Sequence, residues 1–321
     1  MNDCAEQFVP GISVVVPVYN SRDTLRDLIA RLEPVLRAAA PLFEVIFVND
    51  CSRDGSWDVI QELSAKHSWV RGFSMLRNFG QHSALLCGIR AARYNTLITM
   101  DDDLQNPPEE IPKLLAKLAE GFDAVYGTPA HERHGLLRNL ASQVTKLALQ
   151  SAMGAQTARY VSAFRAFRTR LRAAFADYRS PYVSIDVLLT WGTGRFAHIP
   201  VEHHPRTVGQ SGYTVRKLIV HALNMMTGFS TVPLQLASLV GFAFTLFGIA
   251  ILIYVIVQYF LFKEHVQGFT FLASIIAIFS GVQLFSLGLI GEYLARMHFR
   301  MMERPTYVVG ETTEESKVAQ R

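Results

Sequence analysis

Between residues 218 and 291 this chain carries Asp, Glu, Lys or Arg only at Lys263 and Glu264, and no other feature constrains its fold as much. Residues 218–262 and 265–291 are each free of these side chains, and each run exceeds the roughly 20 residues that cross a bilayer core. Two membrane helices are therefore expected, over residues 232–262 and 269–297, with a short turn at Lys263-Glu264-His265. Arg216 and Lys217 precede the pair and Arg296, Arg300 and Arg304 follow it, outnumbering Lys263 in the turn. The positive-inside rule then places both ends in the cytoplasm. Residues 215–227 read as an interfacial helix, with Arg216, Lys217 and His221 among headgroups and Leu218, Ile219, Leu223 and Met226 toward acyl chains. Glu292 is expected to pair with Arg296 one helical turn on.

The hydrophobic share of 50% and mean hydropathy of +0.19 are concentrated in that C-terminal part, so the front two thirds read as a water-facing domain. Met1-Asn2-Asp3-Cys4-Ala5-Glu6 has neither a basic nor an apolar leader segment, and this domain is expected to stay in the cytosol. Cys4, Cys51 and Cys87 have no metal-like spacing and read as free thiols. Net charge is only +4, yet residues 133–217 hold thirteen Lys and Arg against Asp177, Asp186 and Glu202. A solvated basic face is the bland reading. Because the segment leads into the membrane helices, an anionic lipid surface or a phosphate-bearing lipid is the better one, and nucleic acid is not expected as a partner.

Apolar runs alternate with amphipathic segments along the front part. Residues 11–18, 43–48, 70–75, 97–100 and 124–128 read as strands, with helices between them, the first built on Leu25, Leu28, Ile29, Leu32, Val35 and Leu36. This rhythm predicts a doubly wound α/β sheet, whose ligands gather at the carboxyl ends of the strands. Met100-Asp101-Asp102-Asp103-Leu104-Gln105-Asn106-Pro107-Pro108 follows one such strand. If the extended backbone continues, Asp101, Asp103 and Gln105 share a face and Asp102 points away. Two carboxylates and an amide oxygen are hard donors that suit Mg²⁺ or Mn²⁺ shared with substrate phosphates, whereas a turn with an acidic helix start at Glu109-Glu110 is the alternative. Asp50 ends the second strand, as a partner for a base or ribose or as a turn former. The loop Arg77-Asn78-Phe79-Gly80-Gln81-His82-Ser83-Ala84 either touches a ligand or caps its helix. No glycine-rich phosphate loop follows the first strand, so phosphates are expected to be held by metal and cations rather than by a helix N-terminus. His203-His204 would point to opposite faces of a strand and are not expected to form a ligand pair.

These motifs, Pro17-Val18-Tyr19-Asn20, Asn49-Asp50 with Ser52 and Asp54, residues 77–84 and residues 101–110, stand in the order and spacing of family 2 glycosyltransferases. Within that family the chain resembles the polyprenyl-phosphate glycosyltransferases, the group of dolichyl-phosphate mannose synthase, bactoprenol glucosyltransferase and undecaprenyl-phosphate aminoarabinose transferase. The resemblance implies a GT-A, Rossmann-like domain over residues 1–210, a lid and interfacial helix over 211–231, a two-helix hairpin over 232–299 and a cytosolic tail over 300–321. It also implies that Asp50 meets the nucleobase, Asp101 and Asp103 the nucleotide and metal, and Gln105 the metal. Pro17, Tyr19, Asn20, Asn78 and Gly80 fall in the nucleotide-binding motifs. Arg133, Arg138 and Ser142 match positions that meet the lipid phosphate, and Arg206, Ser211 and Tyr213 a loop over the diphosphate. Two positions depart from the pattern: Arg159 stands where several relatives carry an Asp, and Gly212 where many carry Lys.

The implied activity is inverting transfer of a sugar from a nucleotide donor, a UDP-sugar before GDP-mannose, to a polyprenyl phosphate at the inner face of the cytoplasmic membrane. A homotetramer is implied by the same resemblance. A processive polysaccharide synthase would carry more membrane helices and a Gln-x-x-Arg-Trp motif, and a non-catalytic scaffold would have no need of the acids.

Overall fold

The computed structural model describes residues 8–129, 160–180, 182–204, 232–257, 260–261 and 268–314. Five strands follow the apolar runs: β1 Val9–Val18, β2 Phe43–Asn49, β3 Val70–Met75, β4 Tyr94–Thr99 and β5 Ala124–Pro129. Three more complete one sheet, β6 Arg165–Arg168, β7 Phe196–Val201 and β8 Val309–Thr312, in the order β7-β5-β6-β4-β1-β2-β3-β8. The strands β4, β1, β2 and β3 run parallel, β6 lies antiparallel between β4 and β5, and β8 is antiparallel to β3.

The helices α1 Leu25–Ala39, α2 Ser56–Lys66, α3 Gln81–Ala91, α4 Ile111–Ala119 and α5 Ile185–Gly192 cover both faces. Alternation along the strands decides which side chain meets which layer. Val14, Val16, Val18, Val45 and Phe47 pack against α1, α2 and α4. Val15, Ile46, Val48 and Leu97 pack against α3 and α5. Burial of each such Val, Leu or Ile contributes about 1.5–3 kcal/mol, and the continuous apolar runs are those of strands covered on both faces. Helix α3 lies close to the sheet because residue 88 is glycine: a Cβ there would come within 2.3 Å of Val15.

From β1 the chain winds outward through β2 to β3, then α3 carries it back to β4 on the other side of β1. The reversal opens a crevice beyond the carboxyl ends of β1 and β4.

The two charge-poor runs form α6 Val232–Val257 and α7 Phe269–Met301. Both contain stretches long and apolar enough to cross a membrane, Val232–Tyr254 and Ile278–His298. They meet where Phe244 and Phe279 pack edge to face with centroids 5.9 Å apart. Glu292 accepts from Arg296 at 2.8 Å, the spacing read from the sequence. The interfacial helix and the turn at residues 263–265 lie outside the described residues.

One element carried no signal in the sequence. Within the described part of the C-terminal segment, residues 300–314, β8 pairs Ser74 with Glu311 and Met75 with Val309 at the sheet edge. Four residues without strict apolar alternation give little local signal, and the strand forms only because β3 offers an open edge.

Candidate active site

The crevice is a cleft of about 250 Å³ lined by Pro17, Val18, Tyr19, Asp50, Asn78, Gly80, Gln81, Asp101, Asp102 and Asp103. Three strand ends and the β3–α3 loop supply them. Tyr19 is 51% exposed and lines the cleft's mouth.

Asn20, by contrast, holds the wall together. It sits at φ 55°, a left-handed conformation that Asn tolerates better than most residues. Its side-chain oxygen accepts from the Arg53 amide at 2.9 Å, and its own amide donates to Ser52 Oγ at 3.0 Å. Asp54 accepts from the Arg22 amide at 3.0 Å, so the β1 and β2 exits are stitched together. Asn20 is not among the lining residues.

Asp50 is buried and accepts one backbone amide on each oxygen, Phe79 at 2.7 Å and Gly80 at 2.8 Å. Burial raises its carboxyl above the ordinary range, and the two amides oppose that. The Phe79 and Gly80 amides just before α3 are therefore engaged by Asp50. Gly80 turns at φ 92°, so the loop needs glycine at this position.

The acidic stretch is a turn, which corrects the alternating geometry. Strand β4 stops at Thr99 and Leu104 takes φ 59°; Asp101, Asp102 and Asp103 all line the cleft, the Asp102 carboxyl being buried against Ser21 and the Tyr19 backbone. The paired prolines and the left-handed residue override the extended continuation. Gln81 donates to Asp101 Oδ1 at 2.6 Å, and the Gln105 amide donates to Asp103 Oδ1 at 3.2 Å. Burial pushes the Asp102 carboxyl up to about 6; hydrogen bonds from Ser21 and the Tyr19 backbone pull it down, while Asp103 adds to the rise. Gln105 lies beyond the lining residues, its carbonyl accepting the His204 amide at 2.8 Å. The two histidines follow β7 rather than lying on it, and the His203 ring sits 3.4 Å from Asn106 Oδ1. The segment after β7 is thereby fastened to the acidic turn.

Among the described residues no group of three or more His, Cys, Asp or Glu could by itself hold a metal ion. Asp101 and Asp103 nevertheless suit Mg²⁺ or Mn²⁺, which keep few carboxylate ligands and complete their shell with substrate phosphates and water.

Sequence reasoning passed over two features. Gln81 was read only within its motif, although its place after the Gly80 turn aims it at Asp101. Beneath the turn lies a buried cluster in which Arg165 pairs with Asp186 and donates to Thr99 Oγ1 at 2.9 Å, while Tyr126 donates to Asp186 at 3.2 Å. Burial disfavours the Arg165 cation, but Asp186, Tyr126 and, less strongly, Asp101 more than offset this. Burial, with Asp186 beside it, also raises the Tyr126 phenol well above its ordinary value. Arg133, Arg138, Ser142, Arg206, Ser211 and Tyr213, with Arg159 and Gly212, lie outside the described residues. Cys87 is a buried free thiol pushed up to about 12 by burial, and Cys51 is also free.

Residues 13–178 match glycosyl transferase family 2. The chain belongs to that family. Residues 232–297 match a second family, the GtrB C-terminal hairpin, which covers both membrane-length helices. This family 2 glycosyltransferase is 33% identical over 321 residues to the undecaprenyl-phosphate 4-deoxy-4-formamido-L-arabinose transferase of Shewanella sediminis, covering 98% of this chain and 97% of that one. It is 33% identical over 305 residues to the protein of the same name from Yersinia enterocolitica, covering 94% and 93%. Among solved structures, glucosyl-3-phosphoglycerate synthase from Mycobacterium tuberculosis, in complex with Mn²⁺, UDP and phosphoglyceric acid, aligns with a TM-score of 0.52 at 18% identity. That alignment covers 68% of this glycosyltransferase and 76% of the synthase, and it shows the shared GT-A fold.

Proposed function

We propose that the protein transfers a sugar from a nucleotide donor, a UDP-sugar, to undecaprenyl phosphate at the cytoplasmic face of the inner membrane. The observation that carries this is the joining of an acidic strand-end cleft to two membrane-length helices in one chain. The names of the full-length relatives support the acceptor.

In this reading Tyr19 and Asp50 hold the nucleoside, with Pro17, Asn78 and Gly80 shaping its pocket. Asp101 and Asp103, with Gln105 close by, would hold Mg²⁺ or Mn²⁺, which when bound neutralises charge on the departing diphosphate. Arg133, Arg138 and Ser142 meet the lipid phosphate, and Arg206, Ser211 and Tyr213 fold over the diphosphate. A phosphate monoester has its second pKa near 6, so its oxygen attacks the anomeric carbon already deprotonated and needs no carboxylate base. Inversion follows from this single in-line displacement. The absence of an Asp at Arg159 is then compatible with activity.

We assign residues 1–210 to the cytosolic catalytic domain, 211–231 to the lid and interfacial helix and 232–299 to the hairpin, with both termini cytosolic and four copies in the assembly. The test is to incubate purified protein with undecaprenyl phosphate, Mn²⁺ and a panel of nucleotide sugars. A UDP-linked donor is expected to give glycolipid; a product from GDP-mannose would replace the donor assignment, and no product from any donor would remove the function.

A further inference from the structure

Both family matches end before residue 298, yet the chain beyond them returns to the catalytic domain. Arg296, at the end of α7, lies over the Tyr182 ring at 4.6 Å, and Glu303 meets Arg179 at 3.3 Å. The carbonyl of Val308 then accepts the Leu76 amide at 3.0 Å. Strand β8 continues along β3, and Thr313 Oγ1 accepts the Gly72 amide at 2.9 Å. Beyond it Glu314 bridges Arg71 at 2.9 Å and Arg93 at 2.6 Å. Residue 310 is glycine where a Cβ would stand 2.6 Å from Leu76 Cδ2.

Leu76 opens the loop that supplies Asn78, Gly80 and Gln81 to the cleft. Asp50 holds the far end of that loop through the Phe79 and Gly80 amides. The near end is held by the segment that follows the membrane hairpin. Thus the loop is fixed at two points, one inside the site and one at the end of the anchor.

We infer that Val308, Gly310 and Thr313 are positioning residues for the donor loop, fastening residues 76–81 to the cytosolic end of α7. They touch no substrate; they set where Asn78, Gly80 and Gln81 stand. The effect on donor affinity rests on the nucleotide reading of the cleft proposed above, whereas the effect on the loop itself does not.

The experiment uses the full chain in lipid nanodiscs with two readouts, hydrogen exchange at residues 76–81 and calorimetric titration of UDP with Mn²⁺. Gly310→Val drives a side chain into Leu76. It is expected to speed exchange of the Leu76, Phe79 and Gly80 amides by about tenfold and to weaken UDP binding by about fivefold or more. Adding Leu76→Ala to Gly310→Val is expected to restore both. Should Gly310→Val fail to fold, Thr313→Val, which removes only the Gly72 acceptor, is expected to shift both readouts in the same direction by less. Glu311→Gln weakens the 2.8 Å Trp57 contact on the strand without touching Leu76, and is expected to leave both unchanged. Wild-type exchange and UDP affinity in Gly310→Val and Thr313→Val, with only a lower unfolding temperature, would overturn the inference. Faster loop exchange in a protein that never binds UDP would uphold the fastening and remove the nucleotide reading instead.

Discussion

The acidic cleft and the buried cluster beneath it use the same kinds of side chain to opposite ends. In the cleft, the hydrogen bonds described include those from neutral donors: two backbone amides at Asp50, the Gln81 side-chain amide at Asp101, the Ser21 hydroxyl at Asp102. In the cluster, Asp186 is met by the Arg165 guanidinium. Farther along the sheet Asp123 has Arg195 at 3.0 Å and Arg170 at 2.8 Å, and Glu44 has Arg71 at 2.8 Å. Dipoles fix an acid in place while leaving its charge to act on a ligand, whereas a guanidinium cancels it. In the proposed reading the cleft acids serve a bound cation, whereas the cluster holds strands together.

Removing an acid from each region separates the two roles. Asp103→Ala is expected to cut sugar transfer by about 10³-fold or more, with the unfolding temperature nearly unchanged, since the lost term is charge stabilisation at the leaving group. Radiolabelled transfer to undecaprenyl phosphate and circular dichroism against temperature check this. Asp186→Ala should do the reverse. It leaves a buried guanidinium without its carboxylate and is expected to cost about 3–5 kcal/mol of stability, while the double change Arg165→Met, Asp186→Leu recovers much of that. If Asp186→Ala unfolds no more readily than wild type, the division between the regions is wrong.

A smaller effect is expected at Gln81, the residue that orients Asp101. Gln81→Ala keeps the carboxylates but frees their geometry, and Mn²⁺ affinity measured with UDP present should fall by about tenfold. The smallest concerns Glu314. Partial burial raises its carboxyl, but Arg71 and Arg93 outweigh this and hold it below its ordinary 4.5. A depressed carboxyl contributes stability that is complete above the unfolded value and is lost as pH falls through the folded one. The docking of β8 should therefore weaken on acidification below about pH 4.5 and not at neutral pH, and Glu314→Gln should flatten that dependence. Limited proteolysis at the C-terminus across that range reports it.

The central strands were legible because burial on both faces writes itself into continuous apolar runs such as residues 14–16 and 45–48, and the two long helices because their runs lack charge. The position of the acids at strand ends was legible for the same reason. Their orientation was not: β4 stops at Thr99 and the acids lie in the turn that follows, which alternation alone cannot reveal. Arg165 and Asp186 stand 21 residues apart, so only the fold makes them partners. Strand β8 was missed because its identity lies in the edge it completes rather than in its own four residues.

That last strand also bears on how the protein comes into being. Gly72 and Thr313 are joined across 241 residues, and the hairpin lies between them. During synthesis the edge of β3 emerges early, while its partner leaves the ribosome only after both membrane-length helices have been made. The sheet is therefore completed last, by a segment that becomes available once those helices are made. A copy in which β8 stays undocked presents an open β3 edge, the kind of surface that quality-control proteases and aggregation act on.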